Sequence, residues 1–501
     1  MLRRLATTRS TRRVSALLAA ACFSAVTFVA SGTSAIAQQD LPSPILPKAK
    51  LEALAKALNK WFDLDLKANM LVREAETNER KRDSLRKQAA KMRANARTAK
   101  EAFYTAFEKE GEKAGDLLKS VPDLLEIFSD CFPYDKQSNG GRARDDLLTK
   151  DKADGSYVFR FPAKYDPRNA YPFFYVLPPK NGAEWETSKD FVDELWPKTA
   201  TEALEGAVYW MPRFDASAPL DAQVAPTDVK DDDRAAKGFF LRNLGAAFNR
   251  FHVDTDRVHL QAIGDSIPFA LRMASQYADR LAGLVLVEPK TADFDNSTVF
   301  GNLDGLSVCI VASKDTASNA DAIQKLLEDG GCKNVKRIEA GSDGFAGKAA
   351  EVYEWSKGVK RNLFRSSITY VPPTDRAWQS YWVQILEAEY LADVKLAERP
   401  MVKVTADREK NRIDIEGRNV SRVALYLNDL LVDLDKDVTL VLNGQVKTIR
   451  VQRRLRLLAD AREGLIVKRG DKRNIFTASE AHALPAKAAA EEAKSGGGDE
   501  R

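Results

Sequence analysis

No glycine or proline interrupts residues 48–110. Sixty-three residues without either breaker leave few alternatives to helix, because glycine and proline are the residues that most readily end one. One heptad phase runs through Leu54, Ala57, Trp61, Leu64, Ala68, Leu71, Ala75, Asn78, Arg82, Leu85, Ala89, Met92, Ala96, Ala99, Phe103 and Ala106. Fourteen of these sixteen positions are apolar, which predicts a coiled-coil-like seam. Seven of them are alanine, so the seam packs closely while burying little area. The exceptions, Asn78 and Arg82, lie near the midpoint. They set register in a self-associating rod or mark a fold-back into a hairpin; a solvated helix lying on its own globular domain is the third alternative. The helical region spans residues 38–135 and includes a short helix at 122–129, where Pro122 sits in the first turn. Ser138-Asn139-Gly140-Gly141 reads as a linker.

Residues 1–37 read as a secretory signal: Arg3, Arg4, Arg9, Arg12 and Arg13, then an apolar run, then Ala35-Ile36-Ala37 before Gln38. A membrane anchor is the alternative, disfavoured because serine, threonine and glycine dilute the run. The expectation is an exported protein, periplasmic or extracellular, with no transmembrane span after cleavage. The formal charge of +5 then vanishes, since the leader holds five arginines and no acid. A neutral chain is poorly suited to nucleic acid, which needs clustered cations. Three histidines, His252, His259 and His482, rule out a His-rich metal site. Cys131, Cys309 and Cys332 follow the leader. Buried free thiols are expected, with one Cys309–Cys332 bridge as the alternative.

Residues 150–362 alternate in period. Apolar runs at 171–177, 207–211, 258–263, 284–287, 308–312 and 335–338 read as strands, separated by helical stretches at 234–251, 267–277, 320–328 and 348–359. The fold class is α/β, a mostly parallel sheet flanked by helices.

Residues 256–289, DRVHLQAIGDSIPFALRMASQYADRLAGLVLVEP, carry a more specific signal. An Asp-Arg lead-in, a strand, a sharp turn, an alanine-bearing helix, then Tyr277-Ala278-Asp279-Arg280 and Ala282-Gly283-Leu284-Val285 follow in order. This block resembles the nucleophile-elbow region of the α/β-hydrolase superfamily, in particular esterases of the polyhydroxybutyrate-depolymerase, dienelactone-hydrolase and prolyl-oligopeptidase type. The wider resemblance covers residues 157–361.

That resemblance implies a Gly-x-Ser-x-Gly elbow. Aligning the flanks places it on Ala262-Ile263-Gly264-Asp265-Ser266, with Gly264 in the nucleophile position. A glycine cannot form an acyl-enzyme. Asp265 stands where a backbone N–H would stabilise an oxyanion, and its carboxylate has the wrong sign for that task. The resemblance also implies a His-Gly-Gly loop; here Pro178 and Pro179 remove two N–H donors. The acid position falls on Asp315, while Asp343 in Gly341-Ser342-Asp343-Gly344 replaces the general-base histidine. The alternative nucleophile is Ser266, which requires the elbow to slide by two residues. His259, inside a strand, reads as a packed core histidine, and His482 as part of a polar tail. No P-loop, Cys-x-x-Cys, His-Glu-x-x-His or dinucleotide-binding motif is present, so no cofactor and no metal are expected. Asp231-Asp232-Asp233 at a helix start complements the helix dipole.

Beyond residue 362 the period becomes two. Runs at 401–405, 412–416, 423–427, 430–434, 439–442 and 449–451, with the hairpin signal Asn443-Gly444, predict an antiparallel β-sandwich over residues 363–478. Trp378, Tyr381 and Trp382 precede it, either as an interdomain plug or as a stacking platform. Residues 479–501 read as a disordered tail. Together these features predict a binding or scaffold protein on a catalytically degenerate hydrolase-type domain. Pro178, Pro179, Gly264, Asp265, Asp315 and Asp343 would rim a pocket for a small-molecule, carbohydrate or peptide ligand. The acids there favour a cationic or polyhydroxyl one. An active esterase or peptidase using Ser266 and a coiled-coil oligomeriser of the envelope are the alternatives.

Overall fold

A computed structural model describes residues 41–129, 134, 136–137, 141–148, 153–179, 195–212, 232–296, 298–374, 378–389, 395–463 and 475–485. The leader, Cys131, Lys180, Asp231 and residues 486–501 lie outside them.

The uninterrupted heptad folds back on itself. Helix α1 (Lys48–Thr77) stops at Asn78, whose side chain accepts from Lys81 N, and α2 (Arg82–Ala114) returns along it. At ~1.5 Å per residue each arm is about 45–50 Å long. Seam residues Leu54, Trp61, Ala68 and Ala75 are buried, as are Leu85, Ala89, Ala96, Ala99 and Phe103. The seam is thus filled from within the chain. Lys50 Nζ meets Glu110 Oε1 at 2.9 Å across the open end. There α3 (Val121–Ser129) packs on α1, and its buried Asp123 carboxylate accepts from Ile45 N at 2.7 Å and Leu46 N at 2.8 Å.

The next elements are β1 (Gly141–Leu148), β2 (Ala153–Phe161), β3 (Tyr171–Leu177), α4 (Thr201–Gly206), β4 (Val208–Pro212), α5 (Asp232–Arg250), β5 (Val253–Ile263), α6 (Ile267–Gln276), β6 (Gly283–Val287), β7 (Ser307–Ala312), α7 (Ala317–Asp329), β8 (Asn334–Glu339) and α8 (Ala349–Lys357). The strands form one eight-stranded sheet in the order β1-β2-β4-β3-β5-β6-β7-β8. Strand β2 runs antiparallel to both neighbours, while β4, β3, β5, β6, β7 and β8 are mutually parallel. The sheet is therefore mostly parallel, with β2 alone reversed. The domain starts at Gly141 rather than at residue 150. Strand β1, GRARDDLL, lies at the edge of the sheet, and its polar composition carries no strand signal in the sequence.

Strands β3, β4, β6 and β7 are buried almost throughout, as parallel strands covered on both faces must be. Successive residues alternate between two apolar layers. Phe173, Tyr175, Leu260, Ala262 and Leu286 pack with Phe240 and Phe248 of α5, Met273 of α6 and Ile323 of α7. Phe174, Val176, Tyr209, Val285 and Val311 pack with Leu204 of α4 and Val352 of α8. Cys309 lies in this second layer and Cys332 in the first. Both are free buried thiols, so no bridge joins them, and burial pushes them up to about 12 and about 11.

The C-terminal part comprises β9 (Ser367–Tyr370), β10 (Gln379–Ser380), β11 (Val383–Ala388), β12 (Met401–Asp407), β13 (Arg412–Arg418), β14 (Val420–Leu427), β15 (Val438–Leu442), β16 (Gln445–Ile449), α9 (Leu455–Glu463) and β17 (Ala478–Ala483). Two sheets, β10-β11-β14-β17 and β16-β15-β13-β12-β9, each bury one face. Among the described residues all pairings in these two sheets are antiparallel except β13 with β15, which is parallel because β14 crosses to the other sheet between them. Residues 430–434 form turns rather than a strand. The supposed tail begins too early: β17 pairs with β14 over residues 478–483 and buries His482. Its few, small apolar side chains carry no strand signal alone; β14 supplies the backbone partners. Tyr381 and Trp382 are buried, and Trp382 Nε1 donates to Arg365 O at 2.8 Å. Arg365 also meets Asp304 at 2.8 Å and lies over the Tyr381 ring, so this aromatic pair plugs the joint between sheet domain and sandwich. Trp378 is half-buried.

His259 sits in the middle of β5, fully buried, its ring 5.0 Å from that of Phe174 and neither nitrogen hydrogen-bonded. Burial, helped by the charge of Arg257, holds its pKa down at about 3. Above about pH 6.5 the folded and unfolded chains both carry a neutral ring. Below it the unfolded chain takes up a proton that the fold refuses, so stability falls by about 1.4 kcal/mol per pH unit from this group. His259→Phe is expected to flatten the decline of melting temperature between pH 6.5 and 5. Equal slopes in both proteins would show that the ring does not govern it.

Candidate functional site

In an open α/β sheet, ligands bind beyond the carboxyl ends of strands where the order reverses. Here that point lies between β3 and β5, since the chain leaves β3 for β4 on one side and β5 for β6 on the other. The strand ends are level: Leu177 pairs with Ala262, Ile263 with Val287, Val287 with Val311, and Ala312 with Glu339. Residues just beyond them therefore share one edge.

Between β5 and α6 the chain turns through Gly264-Asp265-Ser266. Ile263 is extended, Gly264 has φ +56°, and Ile267 is already helical. Glycine adopts that left-handed backbone freely, whereas a residue with a Cβ is strained there by about 1–2 kcal/mol. A Cβ at Gly264 would lie 3.3 Å from Lys290 Cε. Lys290 thus arches over the turn, and its Nζ meets Asp265 Oδ2 at 3.1 Å. Asp265 is paired, so it brings less free negative charge to the edge than its sequence position implies.

Ser266 is 1% exposed. Its Oγ accepts from Ile263 N at 2.9 Å and has two carbonyls to donate to, Leu177 O and Ile263 O, each at 3.0 Å. The hydroxyl thereby clasps the turn and ties it to the end of β3. No imidazole is among its described partners. His252 Nδ1 lies 2.9 Å from Pro167 O, with the ring stacked on Tyr134; His259 is mid-strand, and His482 is in β17.

Pro178 is buried and Pro179 half-buried beyond β3. Asp315 is exposed in the short turn after β7. Asp343 is exposed after β8, with Ser342 Oγ 3.4 Å from its Oδ1. The fold therefore gathers Pro178, Gly264, Asp265 and Ser266 at the β3/β5 crevice. Asp315 and Asp343 stand two and three strands along the same edge, at a strand spacing of about 4.8 Å.

Sequence reasoning missed Glu288. It follows β6 with φ +50°, a strained backbone for a side-chain-bearing residue. Its carboxylate accepts from Ser313 N at 3.1 Å, Ser313 Oγ at 2.8 Å and Thr316 Oγ1 at 2.6 Å. These bonds offset the strain and lock the ends of β6 and β7 together. The signal was available: a lone acid directly after the fully apolar strand GLVLV. Among the described residues no three His, Cys, Asp or Glu side chains converge to hold a metal ion.

No protein-family model matches the sequence, and no curated protein sequence is similar to it. Solved structures similar in part include a thermostable esterase (13% identity, TM-score 0.33, 44% of this chain and 64% of that one). Others are a ferulic acid esterase from Anaeromyces mucronatus (10%, 0.31, 45% and 94%) and a fungal esterase from Rhizomucor miehei (11%, 0.32, 43% and 81%). The chain spans 64% of the length of the first. At these similarities the fold assignment rests on the strand order of the chain itself.

Proposed function

We propose that this chain is an exported binding or scaffold protein whose α/β-hydrolase-like domain has given up nucleophilic catalysis. The carrying observation is the turn after β5: its left-handed residue is Gly264, and the nearby hydroxyl of Ser266 is spent inside the turn. The absence of an imidazole partner for Ser266 supports the same reading, since a serine needs a base to become nucleophilic. The strand edge still offers exposed polar side chains. The exposed Asp315 and Asp343 suit a cationic or polyhydroxyl ligand, with Pro178 and Pro179 as an apolar wall.

A fluorophosphonate probe tests catalysis directly. No labelling beyond that of heat-denatured protein is expected. Specific labelling abolished by Ser266→Ala would make the protein an active serine hydrolase and overturn the reading. As a structural serine, Ser266 is expected to cost about 1–3 kcal/mol of stability on replacement by alanine, because buried hydrogen-bond partners lose their mate; chemical denaturation measures this. For the ligand, a thermal-shift panel of polyols and organic cations is expected to yield a stabilising member. Its shift should shrink in Asp315→Asn and Asp343→Asn, and unchanged shifts in both would remove these acids from the site.

A further inference from the structure

Charge is distributed unevenly on the helical hairpin. Residues 79–100 hold nine Lys or Arg and two acids, Glu79 and Asp83. Outside this segment and residues 1–37, acids outnumber bases. Three of the nine cations are engaged. Arg82 pairs with Glu79 at 3.4 Å, Arg93 Nη2 donates to Asn69 Oδ1 at 3.4 Å, and Lys100 lies 4.4 Å over the Trp61 ring. Arg80, Lys81, Arg86, Lys87, Lys91 and Arg97 are exposed and ion-pair with none of the described residues.

Their placement follows from the helix. Leu85, Ala89, Ala96, Ala99 and Phe103 face α1. At 100° per residue, Arg86, Arg93 and Arg97 line one flank of that seam while Lys87 and Lys91 lie on the opposite side. Arg80 and Lys81 cap the tip. The positive charge therefore wraps a broad arc of the distal half of α2, about 20–30 Å long. On α1, Met70 is 60% exposed, on the face turned away from α2.

We propose that the distal half of the hairpin docks on the surface of a bilayer rich in anionic phospholipid. Fluid headgroups can meet cations spread around an arc, each Lys or Arg adding to the attraction within a Debye length. Nucleic acid fits less well. Residues 79–100 contain no aromatic side chain on which bases could stack.

The test is co-sedimentation of the full chain with vesicles of phosphatidylcholine alone or mixed with phosphatidylglycerol. The variant replaces Arg80, Lys81, Arg86, Lys87, Lys91 and Arg97 by glutamine, which preserves helix propensity. Both proteins carry the same residues 1–37, so their difference isolates the hairpin. Circular dichroism and melting temperature, expected unchanged, verify the fold. Binding to anionic vesicles should weaken about tenfold or more in the variant, and native binding should fall with added salt. Equal partitioning of native and variant chains overturns the proposal. So does native binding to a DNA duplex without binding to vesicles.

Discussion

The parallel strands β4, β3, β5, β6 and β7 leave no face open to water. Helices cover both sides of a parallel sheet because its crossover connections put them there. Polar chemistry is consequently pushed to the carboxyl edge of the strands, and the edge is most open where the connections part, between β3 and β5. The buried polar groups inside the sheet prove the rule by their discomfort. His259 keeps its ring neutral with no hydrogen bond, and Gln261 satisfies its oxygen through Trp196 Nε1 at 3.2 Å while its amide nitrogen has no partner.

At that edge, local bonds consume most of the reactive groups. The Ser266 hydroxyl is spent on Leu177 and Ile263, the Asp265 carboxylate on Lys290, and the Glu288 carboxylate on Ser313 and Thr316. Except for the Ser266–Ile263 bond inside the turn, each joins one strand end or turn to another. The edge is built as a brace, and the exposed acids Asp315 and Asp343 are what it leaves available to a visitor.

The sandwich attaches to this domain through buried contacts, and the hairpin base attaches to the sandwich through ion pairs. Asn302 Nδ2 donates to Ser275 O and Val371 O, and its Oδ1 accepts from Val371 N, which fixes the entrance to the sandwich. Arg453 meets Asp429 at 2.5 Å and Asp435 at 2.8 Å, while Lys119 pairs with the same Asp435. Lys119–Asp435, together with Arg453–Asp116 at 3.6 Å, connects the base of the hairpin to the sandwich. The hairpin's far half is held by α1 and α2 packing on each other, which leaves its cations exposed.

Periodicity in the sequence determined which segments are helix and which are strand in the α/β domain and most of the sandwich, because burial on one face or two imprints a repeat on the chain. It also located the heptad seam and the interruption at Asn78 and Arg82. It did not decide whether that seam meets a second chain or itself, since both use the same residues; the reversal at Asn78 did. Edge strand β1, the closing strand β17 and the parallel pairing of β13 with β15 were illegible because their order comes from backbone hydrogen bonds to distant segments. The alignment of flanking motifs put Gly264 at the turn. Only the tertiary structure could bring Lys290 over that turn, aim the Ser266 hydroxyl at the end of β3 and cross-link Glu288 to β7, because each of these contacts spans residues that chain position alone leaves unrelated.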